Sequence, residues 1–524
     1  SSFSARRVDG VREELEEAAA SPNGFMSSAF KILRRTRPSA CGNKARAPAP
    51  DLMSAIFEGG DDKDPSKLRT GADGFREELL KQGNELYAAR PSCGAAVEAL
   101  LGRLEPVLRR HVRGEAGEGA APEAEAAEVE MLVRELMSDA RWRRLLGKAR
   151  ARLAVGGDGF PGYLLRQATA EVQGLFLDGL RDIVRTRDVP ESWSDWPVIL
   201  APKPGKDRRL LRKRRDITLL PHAWALFMKL IQPGYSRPVE VARPWCQAGF
   251  EAFRTPPAQT LGLRAAMEQA MAMRSTIAIA FLDYKGFFNS IIRMVQRRCE
   301  AHFGVAPRLT DIVFAVHEAG KAYFETALGK VGPAAVRCGN GQGCPRGPDR
   351  SLLPLTVVIR AVEILEARGF VYAAPEGFER GVPQFWMADD GAFVSDCVEG
   401  VQLIFEAVWL TSLVLGLEIG WDVDASKTAW LAWRWEGNRQ VPDETSRVTL
   451  PLGADGADVD MPRVTDHYRH LGSEVTGRVD HSALRARIEA RVCTLLRMEG
   501  KKSIFPVPSS SPGVTVVLLS PRST

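Results

Sequence analysis

Two adjacent aspartates, Asp389 and Asp390, stand in the stretch "FWMADDGAFV" (385–394), between two short apolar runs. Asp-Gly flanked by alternating hydrophobic residues is a strong hairpin signal, so the local expectation is a turn at Asp390-Gly391 that presents both carboxylates. A third acid, Asp283, closes the run "STIAIAFLDYKGFFNSI" (275–291), which begins rich in Ile and Ala and ends in a helix start. Such a run reads as a strand buried on both faces. An acid at its end is costly unless it is paired or holds a metal. If the Asp389-Asp390 hairpin lies beside that strand, three carboxylates converge with oxygen ligands alone. Two magnesium ions, or manganese in their place, suit such a site and can clamp the attacking hydroxyl and leaving pyrophosphate of an in-line phosphoryl transfer. A polymerase and a two-metal nuclease share this arrangement, so the substrate-binding parts must separate them.

Those parts require elements that bring distant segments together. At 524 residues with 45% apolar and 26% charged content, the chain has the composition of a soluble globular protein with room for more than one domain. Its net charge of +6 is mildly basic, and the distribution matters more than the total. The segment "KPGKDRRLLRKRR" (203–215) is the densest basic run, suited to a triphosphate or a nucleic-acid backbone, or else a solvated hairpin. The eight cysteines contain no C-x-x-C pair, and Cys338 and Cys344 have no histidine nearby, so they read as reduced thiols of an intracellular protein rather than a zinc set. No uninterrupted apolar run of membrane-spanning length stands out, and no membrane association is expected.

Along the chain, residues 1–113 mix weak helical patterns with loops and carry no chemical motif. Residues 114–154 read as an Ala/Glu/Gly-rich linker (114–130) running into one amphipathic helix, "MLVRELMSDARWRRLLGKARARLA". From about 155 short β-like runs alternate with helices, the texture of an α+β domain. Residues 478–500 read as one helix, and 501–524 form an irregular tail.

Several segments between 155 and 475 resemble, in order, the reverse transcriptases of non-LTR (LINE-type) retrotransposons and, more distantly, those of group II introns. "GGDGFPGYLLRQ", "VPESWSDWPVILAPKPGKDRR", "RRDITLLPHAWALFMKLI", "QAGFEAFRTPPAQT", "FLDYKGFFNSI", "GCPRGPDRSLLPL", "MADD", "LGLEIGWDVDASKT" and "YRHLGSEV" each look like one of the family's motifs. The resemblance implies a right-hand polymerase fold: fingers and palm over 155–477, with fingers from about 190 to 275 and a further portion after the Asp283 strand, and a partial thumb helix at 478–500. It implies an RNA-directed DNA polymerase that extends a DNA primer on an RNA template with deoxynucleoside triphosphates, inside the cell, in nucleus or cytoplasm. Asp283, Asp389 and Asp390 are then the metal ligands. Lys203 and Arg215 hold the triphosphate, and Tyr284, Phe288, Arg346, Gly347 and Lys427 border the nucleotide. Phe288 excludes the 2′-hydroxyl, the group that distinguishes the two sugars. His470, Leu471 and Gly472 form the primer grip.

Some positions depart from the family pattern. Asp216 stands where proline follows the arginine, Asn289 where aspartate is usual, Arg346 where glutamine is usual, and Pro348-Asp349 invert an Asp-Pro pair. Met387 replaces the aromatic before the Ala-Asp-Asp. The alternative reading is therefore a catalytically decayed, maturase-like RNA-binding protein. The flanks carry no nuclease pattern and no Cys/His knuckle, so the chain is expected to be a fragment or a truncated copy of such an element.

Overall fold

The computed structural model describes residues between 53 and 476, with breaks at 54–55, 58–66, 70, 91–93, 109–121, 149–161, 204–206, 208, 364–383, 421–427, 452–456, 465–466 and 472. The expected thumb helix (478–500) and the irregular tail lie outside the described residues. The chain is a mixed α+β protein with several sheets. Two larger sheets and a late hairpin comprise, in chain order, β1 (Asp195–Pro202), β2 (Arg214–Thr218), β3 (Ile277–Leu282), β4 (Lys321–Thr326), β5 (Gly329–Ala335), β6 (Gln384–Met387), β7 (Asp390–Ser395), β8 (Ala429–Glu436), β9 (Arg439–Pro442), β10 (His467–His470) and β11 (Ser473–Thr476).

The five-stranded sheet runs β9-β8-β3-β7-β6, with every neighbour antiparallel. Central β3 is buried along its whole length, as its Ile/Ala pattern requires. Its residues Ile277, Ile279 and Phe281 share one core cluster with Leu263, Ala266, Met267 and Ala270 of the helix Pro256–Met273. The i, i+3, i+4, i+7 spacing of those four aims one stripe of the helix at the sheet. On the other face, Ala278, Ala280 and Leu282 belong to the main core with Val401, Ile404, Phe405 and Val408 of the helix Val398–Leu415. That helix is capped by Cys397, whose sulfur accepts from the Gly400 amide, and ends at left-handed Gly416. By length and composition Val398–Leu415 could also cross a membrane, although Glu399, Gln402 and Glu406 interrupt its apolar run. Here its inner side covers the sheet, while Leu410 and Leu413 face outward.

The second sheet runs β2-β1-β4-β5, with β1 and β4 parallel and the other pairs antiparallel. The helix Ala72–Leu86 packs on β5 and so closely on Phe324 of β4 that a Cβ at Gly83 would lie 2.5 Å from the ring. The amino-terminal region is therefore physically joined to this sheet. Its remainder through residue 52 lies outside the described residues.

The expectation of a solvated linker fails over 122–130, which forms the first turns of the helix Pro122–Leu136. Ala and Glu favour helix, and Pro122 sits at the first helical position. Val129, Leu132, Val133 and Leu136 then bury one stripe against the core. The single amphipathic helix expected next is instead broken at Ser138, after which Asp139–Gly147 begins anew, with Trp142 and Leu146 buried.

Candidate active site

Asp283 follows β3, Asp390 begins β7, and Asp389 is the turn residue before it. Leu282 pairs with Gly391 in antiparallel register, so the next step of the ladder sets Asp283 opposite Asp390. Residues directly opposite point to the same face, with Cα atoms about 4.5–5.5 Å apart, and like charges so placed repel. That face carries Phe281, on which the Tyr468 ring of β10 stacks at 3.9 Å. Burial raises the Tyr468 pKa, and Asp283 and Asp390 both raise it further. Asp389 acts on a different neighbour: the pKa of Tyr284 is raised by burial and then by Asp389. The cross-strand partner of Asp283 is thus Asp390, with Asp389 beside it in the turn.

The turn is not where Asp-Gly predicts. Met387 pairs with Asp390, which makes Ala388-Asp389 the two turn residues and puts Asp390 and Gly391 in the strand. Ala388 takes the left-handed conformation, with φ of 57°, which two-residue hairpins demand and alanine resists. Gly391 is needed for packing: a Cβ there would lie 3.0 Å from the Trp386 ring. The segment after Cys246 lies along β6, with the Trp386 amide donating to the Cys246 carbonyl and the Ala248 amide to the Trp386 carbonyl, each at 2.9 Å. From there the buried Gln247 side chain reaches the turn. Its Oε1 accepts from the Ala388 amide at 2.9 Å and from the Gly249 amide at 2.6 Å, and its Nε2 donates to the Ala388 carbonyl at 3.1 Å. Any Cβ at Gly249 would come within 2.4 Å of the Ala388 nitrogen.

Asp283 is fixed through its backbone. Its amide donates to the Thr428 hydroxyl at 3.1 Å, and its carbonyl accepts from the Gly420 amide at 2.8 Å. Thr428 is fully buried and precedes β8. Lys427 lies outside the described residues. Sequence reading singled out Lys427 and passed over Thr428, and equally over Gln247 and Gly249. A short polar residue beside a motif carries no signal of its own until its partner is known.

Phe287 and Phe288 part company after Asp283. Phe287 is core, packed at 5.5 Å on Tyr284, whereas Phe288 is half-buried and meets the exposed Phe250 edge-on at 6.1 Å. Phe250 also has a positive φ of 59°. Tyr284 is buried, with its hydroxyl 2.8 Å from that of Ser412, so its ring faces the helix Val398–Leu415 rather than an open pocket. Asn289, which follows Phe288, donates from its amide to the Asp216 carboxylate at 2.9 Å, and the Tyr87 hydroxyl donates to the same oxygen at 3.0 Å. Burial raises the Asp216 pKa, which these bonds and Lys203 counter. Along β2, Arg215 and Ile217 are exposed while Arg214, Asp216 and Thr218 are buried. Arg215 thus stands on the open face, and Lys203 lies at the end of β1, close enough for its charge to act on Asp216.

The loop 338–347 joins the two halves. The Asn340 amide donates to the Phe288 carbonyl at 2.9 Å, and the Thr218 amide donates to Gln342 at 2.6 Å. A Cβ at Gly343 would sit 2.4 Å from the Thr218 carbonyl oxygen. Gly347 opens the helix Gly347–Glu363. Arg346 is buried and ion-paired with Asp349, and burial lowers its pKa. Its charge also acts on Lys229 and Arg141. The unusual residues thus come in matched pairs: Asp216 with Asn289, and Arg346 with Asp349.

Of the expected primer grip, His470 is buried beneath Phe281 at 5.2 Å, Leu471 is the turn residue with φ of 48°, and Gly472 lies outside the described residues. Among the described residues no group of three His, Cys, Asp or Glu forms a ready-made metal cage. The donor set fits a hard cation nonetheless, because magnesium takes one or two carboxylates and completes its shell with water and substrate phosphates. All three aspartates are partly exposed and stand on adjoining strand ends. The described cysteines 246, 299, 338, 344 and 397 are free thiols. Comparison with protein-family models finds none that matches the chain, and comparison with curated proteins finds no match.

Proposed function

We propose that the chain is an RNA-directed DNA polymerase of the non-LTR retrotransposon type, adding deoxynucleotides to a primer 3′-hydroxyl. The observation that carries this reading is convergence. The segments containing Gln247 and Thr428, far apart in sequence, reach the Asp389-Asp390 hairpin and Asp283 directly, and the loop 338–347 ties the Phe288 segment to Thr218 of β2. A nuclease needs neither a gate for the sugar nor a basic strand to hold a triphosphate.

In this reading the five-stranded sheet is the palm and the four-stranded sheet is the base of the fingers. Divalent cations held by Asp283, Asp389 and Asp390 would activate the hydroxyl and neutralise the departing pyrophosphate. The residues of the chain do the positioning. Arg215 and Lys203 hold the triphosphate, since a guanidinium can bind two phosphate oxygens at once. Phe288 floors the sugar site and leaves no room for a 2′-hydroxyl. The Tyr468 hairpin lies on the Asp283 face, where the primer end must arrive. Little covalent chemistry is asked of the protein, because orientation and charge neutralisation supply most of the acceleration in phosphoryl transfer.

The test is primer extension on an RNA template with deoxynucleotides and magnesium, comparing the wild type with Asp283→Asn and Asp389→Asn. Extension by the wild type, abolished by chelation and by either substitution, is expected. Equal extension by all three would sink the assignment. No extension by any, together with tight RNA binding, would support the maturase-like alternative.

A further inference from the structure

Gln247 binds no substrate in the proposed reaction, yet both ends of its side-chain amide reach the carboxylate turn, and its oxygen also accepts from the Gly249 amide. Both hydrogen-bonding groups of the Ala388 backbone go to this one side chain, as donor and as acceptor. Ala388 occupies a backbone region that glycine or asparagine fills in most two-residue hairpins, and it has no polar side chain to satisfy itself there. A strained residue persists only where its surroundings over-determine it. Here the surroundings are one amide, buried to 1% exposure, and the Gly249 backbone closed against the turn. Segment 246–248 is itself tied to the outer edge of β6 by main-chain bonds, so the amide is delivered from a fixed support.

We infer that Gln247 is a positioning residue: it locks Ala388 in the left-handed conformation and thereby fixes where Asp389 and Asp390 stand relative to Asp283. This rests on the polymerase reading for its consequence in catalysis, but the locking itself does not. If the turn relaxes, Asp389 and Asp390 move together, because one of them is in the turn and the other begins β7. The ligand set then loses its register with the Asp283 strand end. Outer-shell residues that orient metal ligands commonly contribute about ten- to a hundredfold in metal affinity or activity.

The experiment compares wild type, Gln247→Ala, Ala388→Gly and the double variant Gln247→Ala/Ala388→Gly in two assays. One is manganese(II) binding to the substrate-free protein by calorimetry, and the other is kcat and KM for primer extension. Gln247→Ala is expected to weaken manganese binding and lower kcat, each about tenfold, with the nucleotide KM unchanged. Ala388→Gly should restore most of both losses, because glycine takes a positive φ without help. A packing role for Gln247 would not be rescued by removing a methyl group elsewhere. Unchanged manganese affinity in Gln247→Ala, or a loss that Ala388→Gly does not restore, overturns the inference. Gln247-dependent manganese binding by a protein that never extends a primer refutes the polymerase reading and leaves the positioning role standing. Absence of manganese binding by the wild type overturns both.

Discussion

Asn289→Asp tests the link between the two sheets. Asn289 donates to a buried carboxylate, Asp216, that Tyr87 also serves. The substitution removes a hydrogen bond to a charged acceptor, worth about 2 kcal/mol. It also sets two carboxylates against each other where Asp216 is 6% exposed. Such a pair shares one proton, with an apparent pKa raised above the ordinary carboxylate range. Each unit by which that value lies below the ambient pH adds about 1.4 kcal/mol. We expect a total loss of about 3 kcal/mol at pH 8, seen in urea unfolding as a midpoint lowered by about 1 M. A carboxyl whose folded pKa is raised binds its proton more tightly in the native state, so the deficit is largest above that pKa. It should shrink as the pH falls through that pKa toward 4. The swap Asp216→Asn/Asn289→Asp, which returns one amide and one carboxylate to the site, should recover most of the stability. A deficit that does not vary with pH, or a swap as unstable as the single variant, would refute the reasoning.

Other outcomes follow from single contacts. Gly249→Ala drives a methyl group into the Ala388 backbone at 2.4 Å. It should cost about 1–3 kcal/mol in thermal unfolding and reduce primer extension at the same time. Phe288→Val should raise ribonucleotide use relative to deoxynucleotide use, measured as the ratio of the two kcat/KM values, while an unchanged ratio would remove its assignment as the sugar gate. Asp443 has its pKa lowered to about 2 by bonds from Ser446 and Thr445 that outweigh burial. That stabilisation is present above pH 4 and lost as the pH falls from about 4 to 2. Asp443→Ala should therefore be about 2 kcal/mol less stable than wild type at pH 7, with the gap closing toward pH 2.

Much of this protein was legible one segment at a time. The Ile/Ala run of β3 predicts burial on both faces, because side chains alternate and every one of them is apolar. The aspartate that follows it is partly exposed at the strand end. The basic run predicts where an exposed cation stands, and Arg215 is exposed on β2. Local pattern failed where two local rules competed. Asp-Gly is a good turn, but the register set by β3 and the space under Trp386 move the turn to Ala388-Asp389, against the preference of alanine. The Ala/Glu stretch lacks large apolar residues at its start, yet Val129 and Leu132 further along give it a stripe to bury.

Pairing between distant residues was beyond any reading of the chain alone. Asp216 and Asn289 look like two separate departures from a family pattern, and tertiary structure makes them one hydrogen-bonded pair, whereas Arg346 and Asp349 are three residues apart and pair locally. Gln247 and Thr428 are ordinary polar residues in sequence. They acquire meaning from the backbone groups of Ala388 and Asp283, more than 140 residues away in each case. Sequence by itself determines which groups can do chemistry, because that depends on side-chain type and on the local period of burial. Tertiary structure alone decides which groups hold them still, because a hydrogen bond depends on distance in space and not on separation along the chain.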